Sequence, residues 1–316
     1  MQQQRWRQQG LTADRKAERV VEEMTEDEKF AWLSAPMVIP SGGEPLPEEA
    51  IGSAAYYPAI PRLSIPALQQ SDASLGISNL GDIRAGDNAT ALASSLLLGA
   101  TFNPEMAERT GALVGREAFA KGFNVQLAGG ANFIREPRGG RNFEYVSEDP
   151  LLTGVIAGHS VKRIQSQHVV ATVKHFAVNA QETGRVVVSA DISEAALRES
   201  DLLAFEIANA IGLPGAVMPG YKLVNGEWAS GNAFLLNQVL KGEWRYPGWV
   251  MSDWVATHSA ACVGPASILW ALKPTGSLIP LRRCRPFAPR RAPPTCFTPV
   301  AKISRKQSAR RRMPTR

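Results

Sequence analysis

Acidic residues are missing from the last 63 positions of this 316-residue chain, where no Asp or Glu follows Asp253. Residues 261–316 hold 13 of the 35 Lys and Arg and nine of the 22 Pro, which leaves residues 1–260 with 22 bases against all 29 acids, a net charge of −7. The overall charge of +6 therefore belongs to the tail, and the body is mildly acidic. Cysteine is scarce as well. Cys262, Cys284 and Cys296 all lie in the tail, with neither a disulfide framework nor paired metal-ligand spacing. No apolar run approaches the ~20 residues that span a bilayer. The opening MQQQRWRQQGLTADRKAERV lacks the apolar stretch of a signal peptide, so localisation is unread and cytoplasmic by default. Gly139-Gly140 offers no G-x-G-x-x-G turn and no P-loop is present, which removes the common nucleotide-binding signatures.

What is there is ordinary globular protein. Hydrophobic residues make up 44% and charged residues 20%, and the length suits one large α/β domain or two smaller ones. Three segments are expected: an N-terminal extension over 1–14, a folded domain over 15–260, and a basic Pro/Arg-rich tail over 261–316. Stretches such as RRCRPFAPRRAPPT and RKQSARRRMPTR carry neither helical nor strand periodicity. The tail reads either as a basic arm for nucleic acid or as chain foreign to the fold, such as a reading-frame shift after about Ser259 would produce. The abrupt loss of acids in mid-pattern favours the second. Aromatics are sparse in it (Trp270, Phe287 and Phe297), which argues against nucleic acid.

Along the body, residues 13–33 read as helical, with Thr25 and Glu28 forming a capping box near the junction of two helices. Residues 36–66, rich in Pro, Gly and Ser, read as a surface connection. Strand patterns follow at 67–71, 96–102, 123–128, 169–177, 186–190, 215–218 and 248–252. Helical patterns lie between them at 104–121, 150–167, 194–211 and 232–242, the second opened by Asp149 as N-cap and Pro150 at the first helical position. Alternation of this kind predicts a mostly parallel sheet. Asp72, Arg141, Lys174, His175, Tyr221 and Asp253 recur just after strands or the loops that leave them. Chemistry gathered at strand C-termini predicts an α/β fold of (β/α)8 TIM-barrel type. Seven strands are legible; ASILWAL (266–272) is a weak eighth, so the barrel is expected to be incomplete at its C-terminal end.

Lys174 and His175 raise a geometric problem, since adjacent strand residues face opposite ways. Both reach one site only if the strand is ending there.

Four motifs in order, REPRGGRNFEYVSEDPLLTG (135–154), ATVKHFAVNAQETGR (171–185), VMPGYKLVNG (217–226) and VMSDW (250–254), resemble the N-terminal barrel domain of glycoside hydrolase family 3, its β-glucosidase branch in particular. MTEDEK (24–29) and QQSDASLG (69–76) extend the likeness over roughly residues 15–259. The resemblance implies retaining cleavage of β-glucosides, with Asp253 as the nucleophile that forms a glycosyl-enzyme ester. It implies that Asp72, Arg141, Lys174 and His175 hold the sugar, that Tyr221 supports the nucleophile and that Trp254 offers an apolar face to the ring. A β-glucoside or oligosaccharide substrate is implied, with no metal or organic cofactor and no membrane partner; oligomeric state is unread. Related enzymes are often periplasmic or secreted. KHFAVNAQ lacks the second His with which the N-acetylglucosaminidase branch supplies its acid/base, so the glucosidase branch fits better.

Some positions depart from the family pattern. Asp72-Ala73-Ser74 stands where Asp-Gly-Pro is common, and Pro219 and Lys222 stand where small residues and Asn are common. Val255 replaces the usual glycine after the nucleophile, which predicts strain in that turn. The branch takes its general acid/base from a further C-terminal domain, so weak or absent hydrolysis by this chain is expected. Two alternatives stand beside this reading: a non-catalytic sugar-binding fragment, and nucleic-acid binding through the tail.

Overall fold

The structure is a computed structural model that describes residues 10–33, 35–38 and 46–258, with the backbone of Ser267–Ile268. Apart from that dipeptide, the expected basic tail lies outside the described residues, as do residues 1–9. The described residues divide into two units, one ending at Met24 and one beginning at Thr25. In the first, the described element is helix α1 (Ala13–Glu23), capped by Thr12, whose hydroxyl accepts the Arg15 N–H.

The second unit begins with the capping box legible in the sequence. The Thr25 N–H donates to Glu28 Oε2 at 2.8 Å and the Glu28 N–H to Thr25 Oγ1 at 3.2 Å, opening α2 (Glu26–Leu33). Strands β1 (Tyr56–Tyr57) and β2 (Leu68–Asp72) pair antiparallel. After α3 (Ser95–Gly99) and α4 (Pro104–Ala120) comes β3 (Val125–Leu127), and after α5 (Pro150–Gln165) comes β4 (Val170–Phe176). Strand β5 (Ser189–Ala190), helices α6 (Glu194–Glu199) and α7 (Asp201–Gly212), and β6 (Ala216–Pro219) follow. The last elements are β7 (Leu223–Val224), β8 (Glu227–Trp228), a π-wound helix over Phe234–Glu243, β9 (Trp249–Met251) and β10 (Ser267–Ile268).

The main sheet runs β1-β2-β3-β4-β6-β9-β10, parallel from β2 onward. It is curled, and one contact demonstrates this. Gln70 on β2 and Met251 on β9 stand four strand spacings apart, about 19 Å in a flat sheet. Yet Gln70 Nε2 lies 4.0 Å from Met251 Sδ. The sheet's two faces are both buried, as parallel strands require. Val125, Leu127, Ala216, Met218 and Met251 pack inside the curl, and the alternate Ala171, Val173, Val217 and Val250 pack outward against the helices. Glycines let those helices approach closely: a Cβ on Gly158 of α5 would stand 2.8 Å from Ile211 Cβ of α7.

Four expectations need correction. Residues 96–102 are helical at α3, because the Ser94 hydroxyl caps the Leu97 N–H at 3.1 Å, and a short apolar run alone does not choose between strand and helix. Residues 36–66 are not merely a surface connection. Ala54, Ala55 and Tyr57 are buried inside the curl, where β1 covers the edge of β2. The 186–190 pattern yields β5, which belongs to a separate sheet ordered β5-β7-β8. The 194–211 helix is broken at Ser200, whose hydroxyl bonds back to the Ala196 carbonyl at 2.6 Å. Of ASILWAL, Ser267–Ile268 pairs parallel with Val250–Met251, and the rest lies outside the described residues. No described helix is long and apolar enough to cross a membrane.

Candidate active site

Parallel strands put their C-terminal ends along one edge, and the candidate residues sit there. Asp72 ends β2, Lys174 and His175 lie near the end of β4, Tyr221 follows β6 and Asp253 follows β9. The pairing of β4 with β6 resolves the problem posed by Lys174 and His175. Lys174 pairs with Met218 and Phe176 with Pro219, so His175 is an extra, bulged residue. A bulge re-aims a side chain, and Lys174 and His175 both face the site. Asn132 holds the bulge from both sides: its Oδ1 accepts the His175 N–H and its Nδ2 donates to the His175 carbonyl, each at 2.8 Å.

Lys174, 2% exposed, donates from Nζ to Asp72 Oδ1 at 2.7 Å and lies 3.7 Å from Glu144 Oε2. Glu144 is also buried and takes the Arg141 Nε–H. Asp253 is buried; its Oδ1 accepts the Trp254 N–H at 2.8 Å. Its Oδ2 accepts no close hydrogen bond and lies 3.4 Å from His175 Nε2. The Tyr221 hydroxyl adds a weaker attraction to the same carboxylate. Arg185 stacks over the Tyr221 ring at 4.1 Å. Thus Asp72, Arg141, Lys174, His175, Tyr221 and Asp253 all meet in one cluster.

Burial dominates the electrostatics. It pushes the Asp253 carboxyl up to about 6, against the pull of Arg141 and Lys174. It holds His175 well below the usual imidazole range, with Arg141, Lys174 and Arg185 acting the same way, so the ring is neutral. Burial also works against the charge on Lys174, but Asp72 and Glu144 outweigh it and the proton is held more tightly than usual. Burial and the Asp253 charge together raise the Tyr221 phenol. The cluster therefore combines fixed cations, a neutral imidazole and one carboxylate that is poorly solvated.

Several contributors went unpredicted as site residues. Glu144 figures in the motif 135–154 and is the anchor for both Arg141 and Lys174. Tyr145 and Asn179 form a second layer behind His175. Each lies inside a quoted motif, so the signal was position beside a candidate rather than residue type. Lys222 is buried beside Tyr221, and burial lowers its proton affinity to about 8 despite Glu182 and Asp201. Val255 takes φ +54°, the left-handed region a glycine would favour.

Comparison with known proteins agrees with this picture. Residues 49–267 match the model of the glycosyl hydrolase family 3 N-terminal domain. Similar proteins include a β-glucosidase of Rhizobium radiobacter, 41% identical over 203 residues covering 64% of this chain and 25% of that protein. Another is β-glucosidase B of Emericella nidulans, 43% identical over 201 residues, 64% and 24% of the two chains. The chain thus spans about a quarter of the length of these relatives. Among solved structures, β-glucosidase 3B from Thermotoga neapolitana in complex with α-D-glucose superposes with a TM-score of 0.72 at 39% identity, over 77% of this chain and 34% of that one. On the family match, the order of its motifs and the fold they share, the chain belongs to glycosyl hydrolase family 3, through its N-terminal domain.

Proposed function

We propose that this chain carries the sugar-binding and nucleophilic part of a retaining β-glucosidase, with its curled sheet belonging to a (β/α)8 barrel. Asp253 attacks the anomeric carbon of a β-glucoside. A carboxylate oxygen–carbon bond forms as the bond to the aglycone oxygen breaks, and water later hydrolyses the ester. Asp72 and Lys174, joined as an ion pair, and Arg141 and His175 present acceptors and donors to the sugar hydroxyls. Trp254 offers an apolar face, and Tyr221 steadies the nucleophile.

One observation carries this reading: the Asp253 carboxylate is buried, pushed up to about 6, and has an oxygen that accepts no close hydrogen bond. At neutral pH it is ionised yet poorly solvated, the condition of a reactive oxygen nucleophile. The glucose complex of the related Thermotoga neapolitana enzyme supports the same ligand class here.

Double displacement also needs a carboxylic acid about 5 Å from the nucleophile to protonate the leaving group. The other carboxylates of the cluster are ion-paired: Asp72 with Lys174, Glu144 with Arg141, and Glu182 with Arg185. Each of these carboxylates is occupied as a hydrogen-bond acceptor toward its cationic partner. The chain is therefore expected to react with glucosides whose leaving group needs no proton, and to hydrolyse cellobiose weakly. Mass spectrometry after exposure to 2-deoxy-2-fluoroglucosyl fluoride tests this. A mass gain mapped to Asp253 is the expected result; an unlabelled chain that still binds glucose by calorimetry points instead to a sugar-binding fragment.

A further inference from the structure

Behind His175 runs a chain of hydrogen bonds whose directions are fixed by chemistry at each end. Asn179 Nδ2 lies 3.2 Å from Glu182 Oε1, and Glu182 is ion-paired to Arg185 at 2.7 Å. A carboxylate only accepts, so the amide nitrogen of Asn179 must face it. The same nitrogen lies 3.1 Å from the Tyr145 hydroxyl oxygen, which therefore accepts. The Tyr145 O–H remains to be donated, and His175 Nδ1, 3.3 Å away, is the ring nitrogen within its reach. Nδ1 is then an acceptor, and in a neutral imidazole the proton must reside on the other nitrogen. That nitrogen, Nε2, faces Asp253 Oδ2 at 3.4 Å. Tyr145, Asn179 and His175 are all buried, so no bulk water competes along the chain.

We infer that Asn179 and Tyr145 are positioning residues that hold His175 as its Nε2–H tautomer, with the N–H side of the ring turned toward the Asp253 carboxylate 3.4 Å away. Their importance for reaction rests on Asp253 being the nucleophile; the tautomer itself does not. A neutral N–H dipole facing Oδ2 at 3.4 Å, beyond a close hydrogen bond, favours the ionised carboxylate without adding a charge that would bind the nucleophile too firmly. Titratable groups face this arrangement from several elements: Arg141, Lys174 and Arg185 toward His175, and Arg141, Lys174 and Tyr221 toward Asp253.

Two-bond proton–nitrogen NMR on the full chain with labelled histidine reads the tautomer directly. The wild type is expected to show a protonated Nε2 and a bare Nδ1 for His175 at pH 7. Tyr145→Phe removes the hydroxyl while keeping the ring. Asn179→Leu frees the tyrosine oxygen to accept from Nδ1–H instead, and serves should the first variant fold poorly. Either is expected to bring in the Nδ1–H form and to move the pH midpoint of Asp253 labelling up by about one unit, which lowers the rate about tenfold at pH 5 but only about twofold at pH 7. A wild-type His175 protonated on Nδ1, or variants whose spectra and pH midpoint match the wild type, overturns the inference. A wild type with the expected tautomer but no label on Asp253 upholds the hydrogen-bond chain and sinks the nucleophile reading instead.

Discussion

Lys174 Nζ and Asp72 Oδ1 meet at 2.7 Å although β2 and β4, which carry them, are separated in the sheet by β3. The pair ties the curl together at its functional edge, with Glu144 as the second acid on the same ammonium. Replacing Lys174 with Met would leave Asp72 unpaired and the buried Glu144 with Arg141 alone. Removing one partner of a buried pair strands the other charge, so a loss of about 3–5 kcal/mol is expected in urea unfolding. Lys174→Met combined with Asp72→Asn is expected to lose less than the two single changes added together. Strict additivity would mean that the pair contributes nothing beyond its separate members.

Asp253 gives the site its pH dependence. Its carboxyl is raised by burial to about 6, so the ionised fraction, and with it the labelling rate by an activated fluoride, is expected to climb with pH and level off above about 7. The stability consequence has the opposite sign. A raised carboxyl pKa means the folded state holds the proton more tightly than the unfolded chain, so this group destabilises the fold above about 6, and the penalty fades as pH falls toward 3.8. Asp253→Asn is thus expected to stabilise the protein at pH 7.5 by up to about 3 kcal/mol and to do little at pH 4. Equal effects at both pH values would show that charge burial is not the cause.

Much of this was legible in the chain. The capping box at Thr25, the Asp149-Pro150 helix start and the strands that bury both faces have short-range causes, and the structure matches them. Five of the six candidate side chains gather at one edge because parallel strands end there, and Arg141 joins them from the loop between β3 and α5. What was not legible depended on contacts distant in sequence. Ala54, Ala55 and Tyr57 looked like connecting chain because neighbouring Pro and Gly masked three apolar residues that pack inside the curl. The His175 bulge appears only in its register against β6, and Tyr145 and Asn179 acquire meaning only from a histidine 30 residues after one and four before the other. The sequence posed the Lys174–His175 problem without containing its answer.

Val255 illustrates a departure that the backbone confirms. Its φ of +54° places a β-branched side chain in left-handed territory, two residues beyond Asp253, and the side chain is 44% exposed. Strain of this kind is worth roughly 1–3 kcal/mol, while glycine gives back about 0.4–1 kcal/mol through the unfolded chain. Val255→Gly is therefore expected to stabilise the protein by about 1 kcal/mol in urea unfolding. Destabilisation would mean that contacts of the valine outweigh its backbone strain.

Gly130 is a stricter requirement, because it lies where the Glu144–Tyr145 segment crosses the sheet edge. It bridges to Lys174 in parallel register, and a Cβ placed on it would stand 2.5 Å from the Glu144 carbonyl oxygen and 3.2 Å from the Tyr145 ring. The nearer of these is backbone, which cannot rotate away. Gly130→Ala must then displace the segment that supplies Glu144 to Lys174 and Arg141, and Tyr145 to His175. Overpacking of this sort costs about 1–3 kcal/mol, and the displaced second layer is expected to slow Asp253 labelling by at least about tenfold, on the scale of a 1 Å misplacement around reacting groups. A loss of stability with labelling unchanged would separate the two effects. It would show that the Glu144–Tyr145 segment supports the fold at Gly130 without setting the geometry of the nucleophile.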